Sequence, residues 1–274
     1  MKRPKQPEHP VVFRGERLSS LSPVSSTGHL ILTGHLLSFK GSVAATFDIV
    51  IQLGAILAVV ILYRPRFIGL LPQKGWMNWS NKKAGFSGLQ GCLLLGLTTV
   101  PPLILGKFAY PVIKGYLFNP TSVAIALAAG AFGILAVEKW RPETKTNSLD
   151  SIGWPQALFI GFFQCLSLWP GISRAGATII GGFLNGLERK TAAEFSFLAA
   201  VPVMMAATGY DLFKTWSQFK EGDLVFLAIG FGVSFITAYF TVSAFIRILG
   251  RWTLKPFAWY RLALTPIILL FWPD

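Results

Sequence analysis

The sequence predicts an all-α polytopic membrane protein in which each half holds three transmembrane helices and one re-entrant helical hairpin, the second half being inverted. Of its 274 residues, 53% are hydrophobic and 14% are charged, whereas an ordinary soluble domain carries about 25% charged residues. The apolar residues form uninterrupted runs without the amphipathic period of a soluble core. Proline-containing breaks lie at corresponding positions of the two halves, as is typical of inverted repeats. These three observations exclude a soluble globular enzyme.

Six apolar runs have the length of roughly 17 to 25 residues that a helix needs to cross a bilayer. They are predicted at Ala44–Tyr63, Leu89–Gly106, Thr121–Glu138, Ala192–Tyr210, Leu224–Ile246 and Pro256–Trp272. Between the third and fourth runs, Trp154–Leu187 is apolar but interrupted at Pro170 and Gly171. This interruption predicts a re-entrant hairpin of two short helices, which membrane depth tolerates where protein buries it or where it lines a cavity.

Basic residues predict the orientation of the spans. The chain has 25 Lys and Arg against 12 Asp and Glu, a formal net charge of +13, which in a membrane protein indicates cytoplasmic loops rather than a nucleic-acid partner. Three alternate loops are basic and are predicted to be cytoplasmic. Their basic residues are Arg64, Arg66, Lys74, Lys82 and Lys83, then Lys139, Arg141 and Lys145, then Arg247, Arg251 and Lys255. Arg261, inside the last span, is expected to extend its side chain to the interface.

The two halves show an internal repeat. Pro23–Gly28 aligns with Pro170–Ala175 at a shift of 147, and Ala44–Phe47 aligns with Ala192–Phe195 at a shift of 148. We therefore predict a single membrane domain over residues 1–274, with an atypical basic tail at 1–15. Repeat 1 spans about 16–138 and repeat 2 about 154–272. Three spans per repeat is an odd number, so the second repeat must lie upside down and the two breaks should meet.

Each break is followed by a serine that begins a helical stretch, and a helix N-terminus is a favourable site for an anion. Arg174 adjoins Ser173 and can bind a phosphate in bidentate fashion. Ser26 and His29 share one helix face, which gives a hydroxyl and an imidazole a common target. Glu16 is the only carboxylate near the first break, so it is the candidate Mg²⁺ ligand or general base.

Structural explanations for these residues also exist. Ser25 and Ser26 can serve as helix caps alone, and His29 can be a hydrogen-bonded packing residue. Asp48 and Glu194 lie near the N-termini of matching spans, where the helix dipole stabilises a carboxylate whatever its function, so we interpret both as structural.

The two runs PVSSTGH (Pro23–His29) and PGISRAGAT (Pro170–Thr178) closely resemble the phosphate motifs of the undecaprenyl-pyrophosphate phosphatase family, also called bacitracin-resistance proteins. The likeness runs from about Ser22 to the C-terminus. It includes the segments Thr46–Gly54, Ala193–Pro202 and Pro256–Arg261.

The resemblance implies a multi-pass enzyme of the bacterial inner membrane whose site opens to the periplasm. It implies hydrolysis of undecaprenyl diphosphate to the monophosphate with a divalent cation, Mg²⁺ or Ca²⁺, and hence recycling of the peptidoglycan lipid carrier and tolerance to bacitracin. The expected partners are the polyprenyl diphosphate substrate and membrane lipids. The implied catalytic residues are Ser26, His29, Arg174 and Glu16, with Glu16 also holding the metal. The implied phosphate-binding residues are Ser25, Thr27, Ser173, Arg174 and Thr178.

The N-terminus departs from the family pattern, in which Glu-Gly-x-Thr-Glu-Phe-x-Pro precedes the first serine run. Glu16 falls on the first acid, but Ser20 replaces the second and Arg17 replaces the glycine. The segment Met1–Gly15 is basic where the family has an apolar leading helix. These departures predict an aberrant start before about Ser22 and impaired metal binding.

Three functions remain open at this point: the hydrolase, a lipid transporter or flippase built on inverted repeats, and a catalytically impaired binder of the lipid diphosphate. Within the hydrolase, either Ser26 or His29 can be the nucleophile. The other common class of membrane lipid phosphatases is excluded, because it needs a downstream histidine and none follows His35.

Overall fold

The computed structural model describes residues 42–72, 85–117, 119–140, 143–215, 224–250 and 252–271, and this part of the chain is helical with no strand. Its α-helices are α1 (Ser42–Leu62), α2 (Arg64–Gly69), α3 (Gly88–Val112), α4 (Pro120–Trp140), α5 (Trp154–Cys165), α6 (Arg174–Leu184), α7 (Arg189–Thr215), α8 (Leu224–Leu249) and α9 (Lys255–Phe271). A π-helical turn, Ile113–Leu117, extends α3, and short 3-10 turns occur at Leu149–Ser151 and Leu166–Leu168.

The six predicted spans coincide with α1, α3, α4, α7, α8 and α9, which confirms the all-α membrane class. Among the described residues, four segments are long and apolar enough to cross a membrane. They are Gly88–Ala109, Pro120–Trp140, Arg189–Tyr210 and Leu227–Leu249. The apolar part of α1, Ile49–Leu62, and the 17-residue α9 are shorter. The chain is a multi-pass membrane protein, and its inverted repeat stays a prediction.

Small residues let the long helices approach closely. α1 packs against α8 and α7, α4 packs against α9, and α5 packs against α3. A Cβ atom on Gly54 of α1 would stand 2.6 Å from the backbone oxygen of Phe231 in α8, and one on Gly161 of α5 would stand 2.6 Å from the backbone oxygen of Leu97 in α3. Both contacts require glycine, in keeping with the small-residue interfaces of membrane helices.

The prolines of α3 fix the hairpin helix α5 to that span. Pro102 has no N–H group, so the Thr98 carbonyl four residues earlier loses its helical donor. Gln164 of α5 replaces it, because its Nε2 donates to this oxygen at 3.3 Å. The Thr98 hydroxyl in turn donates to the Ala157 carbonyl of α5 at 3.0 Å. Thr98 and Gln164 are both buried, so these bonds form where water cannot replace them.

Loops that the charge pattern assigned to the cytoplasm meet on one side of the described structure. Arg66, after α1, pairs with Asp150, before α5, with Nη1 and Oδ1 2.6 Å apart. The Phe86 N–H donates to the same Asp150 oxygen at 2.8 Å. Together the guanidinium and the N–H hold the pKa of the Asp150 carboxyl below its usual range.

A buried carboxylate joins three helix ends on this same side. Glu138, in the last turn of α4, is 2% exposed. Its Oε2 accepts from Nη2 of Arg189 at 2.8 Å and its Oε1 accepts from Nε at 3.0 Å. The Leu254 N–H, just before α9, donates to Oε1 at 2.9 Å. One side chain therefore fixes the starts of α7 and α9 to the end of α4.

Glu138→Ala is expected to lower the free energy of unfolding by about 3 to 5 kcal/mol, because it leaves the Arg189 charge and the Leu254 N–H without their acceptor. This loss of stability is measured by thermal unfolding in detergent. The matched control is Glu143→Ala, since Glu143 is an exposed acid of the following loop. A double variant, Glu138→Ala with Arg189→Met, should be less destabilised than the single variant. A loss no larger than that of the control would contradict this account.

Candidate active site

The two short helices α5 and α6 form a hairpin. They pack against each other, and Nε2 of Gln156, near the start of α5, donates to the Asn185 carbonyl at the end of α6 at 3.1 Å. The base of the hairpin is thus closed at these residues. Its tip is the break Trp169–Ser173 between the two helices, where the sequence predicted one.

The tip packs against the first two turns of α4. Nε1 of Trp169 donates to the hydroxyl of Ser122 at 2.8 Å. Gly171 has a φ of +104°, and a Cβ added to it would stand 2.6 Å from the Val123 backbone oxygen and 2.9 Å from the Ala126 Cβ. Both the backbone conformation and the close approach require glycine here. Pro170 and Gly171 therefore reverse the chain, after the 3-10 turn that follows α5, within van der Waals contact of α4.

Ser173 begins α6 as the sequence predicted. Its side-chain oxygen accepts from the Gly176 N–H at 3.2 Å, which is the geometry of an N-cap. Among the described residues, nothing accepts from the backbone N–H groups of Arg174 and Ala175. The cap uses a lone pair of the Ser173 oxygen and leaves its hydroxyl hydrogen for another acceptor. The end of α6 therefore offers two N–H groups and one O–H group to an anion.

Arg174 supplies the charge at this helix end. The side chain is half-buried, and its Nη1 is fully enclosed with no hydrogen-bond partner in the described part of the chain. An enclosed guanidinium nitrogen without an acceptor costs free energy that a bound phosphate oxygen would recover. This atom is the clearest sign in the described residues that the hairpin tip binds an anion.

Thr178 lies one turn deeper in α6 and has other partners. Its hydroxyl oxygen is 2.6 Å from that of Ser196 in α7. The Thr178 hydroxyl also lies 3.0 Å from the Arg174 carbonyl oxygen, to which it can donate. The side chain is buried between α6 and α7. These contacts join the hairpin to α7, and direct phosphate binding by Thr178 stays a prediction.

The expectation that the Arg261 side chain extends to the membrane interface is wrong. Its side chain is 1% exposed. Nη2 donates to the Gly171 carbonyl at 3.0 Å and lies 3.5 Å from the Ala126 carbonyl. Arg261 is the seventh residue of α9, about 9 Å along the helix from its start. The guanidinium extends from there to the tip of the hairpin because Gly130 and Gly176 carry no side chain and so leave it room.

The other predicted site residues lie outside the described residues. They are Glu16, Ser25, Ser26, Thr27 and His29. The Asp48 side chain is likewise outside the description, and Glu194 lies in the second turn of α7. Within the described ranges, no three His, Cys, Asp or Glu side chains form a group that would hold a metal ion.

Sequence reasoning missed the role of Arg261, although one signal was available. A basic residue inside an apolar span is by default functional, and that rule identified Arg174. It was not applied to Arg261 because a position near the basic end of the span also permits the side chain to reach water. Only the packing of α9 against α4 decides between these directions.

Comparison with known proteins agrees with the hairpin motifs. The family model described as bacitracin resistance protein BacA matches residues 16–267, so the likeness also covers Glu16 to Leu21, upstream of the boundary expected near Ser22. A protein of Maridesulfovibrio salexigens named undecaprenyl-diphosphatase is 55% identical over 258 residues, covering 94% of this chain and 95% of that protein.

Two other bacterial proteins are also similar to this chain. A Nitratidesulfovibrio vulgaris protein named undecaprenyl-diphosphatase is 53% identical over 256 residues, covering 93% of this chain and 94% of that protein. A Bacillus cereus protein named undecaprenyl-diphosphatase 1 is 46% identical over 256 residues, with the same coverage. Since the family model matches residues 16–267 and the first of these relatives is 55% identical over 94% of the chain, the chain belongs to the bacitracin resistance protein BacA family.

Proposed function

We propose that this chain hydrolyses undecaprenyl diphosphate to undecaprenyl phosphate and inorganic phosphate, the reaction for which its relatives are named. The observation that carries the proposal is the hairpin tip, where the backbone N–H groups of Arg174 and Ala175 and the enclosed Nη1 of Arg174 have no acceptor among the described residues. A membrane enzyme with this activity recycles the lipid carrier of peptidoglycan synthesis and thereby confers tolerance to bacitracin.

The tip binds the diphosphate by charge and by hydrogen bonds. Arg174 donates to oxygens of the transferred phosphoryl group, and the N–H groups at the start of α6 and the Ser173 hydroxyl donate to the same region. Phosphoryl transfer needs chiefly positioning and stabilisation of oxygen charge. A dry, fixed set of donors supplies both, because it does not have to reorganise as the charge moves. The polyprenyl tail extends into lipid between the spans.

Ser26 or His29 attacks the terminal phosphorus, and the other residue assists as base and acid. The bond between this phosphorus and the bridging oxygen breaks, and undecaprenyl phosphate leaves with that oxygen. Water then attacks the phosphorylated side chain, which releases inorganic phosphate and restores the nucleophile. Arg174 holds the phosphoryl oxygens through both steps.

Glu16 is the proposed ligand of a divalent cation, Mg²⁺ or Ca²⁺. A carboxylate oxygen is a hard ligand that suits either ion. When bound, the ion neutralises charge on the diphosphate oxygens. The residues at the tip of the hairpin are hydrogen-bond donors, so they would bind the substrate oxygens that are not bound to the ion.

The site is proposed to open to the periplasm of a bacterial inner membrane. The basic loops are joined on one side through Arg66 and Asp150, and the base of the hairpin lies with them because Lys145 N–H donates to the Gly186 carbonyl at 2.8 Å. The tip contacts Ser122, the third residue of α4, at the opposite end of that helix. If basic loops are cytoplasmic, the tip lies toward the periplasmic face.

A phosphate-release assay on detergent-solubilised protein with undecaprenyl diphosphate tests the proposal. Release of one phosphate per lipid, dependent on Mg²⁺ or Ca²⁺, is expected. A lipid transporter would move the lipid across vesicles without releasing phosphate, and an impaired binder would retain the lipid unchanged. Either result would overturn hydrolysis as the function.

Ser26→Ala and His29→Gln are each expected to lower the rate of phosphate release by at least about a hundredfold, the low end for loss of general acid–base help. Trapping the phosphorylated enzyme in alkaline detergent and, separately, in acid identifies the nucleophile, because phosphohistidine survives alkali but not acid, whereas phosphoserine survives acid. The control is His35→Gln, because His35 follows His29 by six residues and the helical period therefore predicts that it faces another way. Near-normal rates in both variants would remove the pair from the mechanism.

Ser20→Glu is expected to raise Mg²⁺-dependent phosphate release by about an order of magnitude, because two carboxylates hold a divalent cation more tightly than one. The titration of activity with Mg²⁺ should shift to lower concentration. Ser20→Gln has the same size without the charge and should leave the titration unchanged. Equal activity in the parent and both variants would show that the second acid is dispensable.

A further inference from the structure

The guanidinium of Arg261 is enclosed between α4, α9 and the tip of the hairpin. The side chain is 1% exposed, and its Nη2 donates to the Gly171 carbonyl at 3.0 Å. The same nitrogen lies 3.5 Å from the Ala126 carbonyl of α4. One side chain of α9 thus bridges the backbone of a spanning helix and the backbone of the break, two residues before the Ser173 cap.

The charge of Arg261 also lies beside the start of α6. Its Nη1 is 3.4 Å from the position that a Cβ on Gly176 would occupy, and the Gly176 N–H donates to the Ser173 side-chain oxygen that caps α6. A cation usually avoids the N-terminus of a helix, because the helix dipole is positive there. An enclosed cation at this end is favourable when an anion shares the site, since the anion interacts with the dipole, with Arg174 and with Arg261 together.

We propose that Arg261 is a positioning residue of the phosphate site: through the Gly171 carbonyl it fixes the direction of the α6 N-terminus, and its charge strengthens anion binding there. The inference rests on the proposed function for its kinetic consequences. Arg261 contacts the backbone behind the site rather than the substrate, so its effect on turnover passes through Ser173 and Arg174. Geometry and charge make separable contributions, because a lysine keeps the charge but lacks the planar guanidinium, whose Nη2 contacts both carbonyls.

Three variants separate these contributions. Arg261→Met removes both the charge and the hydrogen bonds. Arg261→Lys keeps the charge but removes the planar guanidinium. Gly130→Ala places a methyl group where the Arg261 Nη2 now lies, so it displaces the guanidinium without changing the charge. Lys255→Met, at the exposed start of the same helix, is the matched control for losing one cation. The measurements are kcat and KM for undecaprenyl diphosphate per folded molecule, and the rise in the midpoint of thermal unfolding caused by inorganic pyrophosphate.

Arg261→Met should lower kcat about a hundredfold, the size of effect produced by misplacing a reacting group by about 1 Å, and should abolish the pyrophosphate-induced rise. Arg261→Lys and Gly130→Ala should lower kcat at least tenfold while keeping most of that rise, because the charge remains. KM should change less than kcat in all three, since the polyprenyl tail binds elsewhere. Lys255→Met should match the parent in both measurements.

An Arg261→Met protein with parental kcat per folded molecule and a parental pyrophosphate response would overturn the proposal, even if less of it folds. If Arg261→Met does not fold, Gly130→Ala tests whether Arg261 fixes the direction of the α6 N-terminus. Parental kcat in that variant would likewise overturn the proposal. Stabilisation by pyrophosphate does not require turnover. A parent chain that releases no phosphate would therefore refute the proposed function while leaving the dependence of anion binding on Arg261 measurable.

Discussion

The Arg174→Ala variant should release phosphate from undecaprenyl diphosphate at least about a thousandfold more slowly than the parent, the usual minimum for removing an arginine that stabilises a phosphoryl transition state. The enclosed Nη1 of Arg174 has no acceptor among the described residues, and its proposed partner is a phosphate oxygen of the substrate. Removing the side chain deletes an uncompensated charge and should leave the amount of folded protein close to that of the parent.

Two further variants make this expectation specific. Arg174→Lys keeps the charge but loses the bidentate fork, and it should recover only a small part of the lost rate. Arg64→Ala removes an exposed arginine at the start of α2 and should match the parent. The rates are measured per folded molecule after size-exclusion chromatography. An Arg174→Ala protein within tenfold of the parent would remove this residue from the phosphate site.

The helices and the hairpin could be predicted because their signals are local. An apolar run of spanning length must satisfy its backbone internally, so each of the six runs is a helix in the structure. The break at Pro170 and Gly171 is local for the same reason: proline removes a donor, and the glycine alone tolerates a φ of +104°. Ser173 follows as the N-cap, since serine is among the preferred residues for that position.

The direction of a long side chain could not be predicted in this way. Arg261 and Glu138 both lie within two turns of a basic helix end, where each is free to extend to water. Each instead extends into the protein, because α9 packs along α4 and leaves a gap that only a long polar side chain fills. Such a gap depends on residues more than a hundred positions apart in the chain, and a single sequence contains no signal of it.

Gly171→Ala should combine a loss of stability with a loss of turnover. A Cβ at this position would stand 2.6 Å from the Val123 backbone oxygen, and a φ of +104° is unfavourable for alanine. The conformation costs about 1 to 2 kcal/mol and the overpacking about 1 to 3 kcal/mol, so the free energy of unfolding should fall by about 2 to 5 kcal/mol. The control is Gly209→Ala in α7, where an added Cβ meets no atom within 4 Å.

The loss of turnover in Gly171→Ala should exceed what unfolding alone explains. To relieve the contact with Val123, the break must move away from α4, and its carbonyl then moves away from Nη2 of Arg261, now 3.0 Å away. Ser173 and Arg174 follow within three residues, so the donors of the proposed phosphate site are displaced even in molecules that remain folded. The kcat per folded molecule should therefore fall by about a hundredfold. Parental kcat in the folded fraction would show that the break can shift without disturbing the site, and that the contact with α4 serves stability alone.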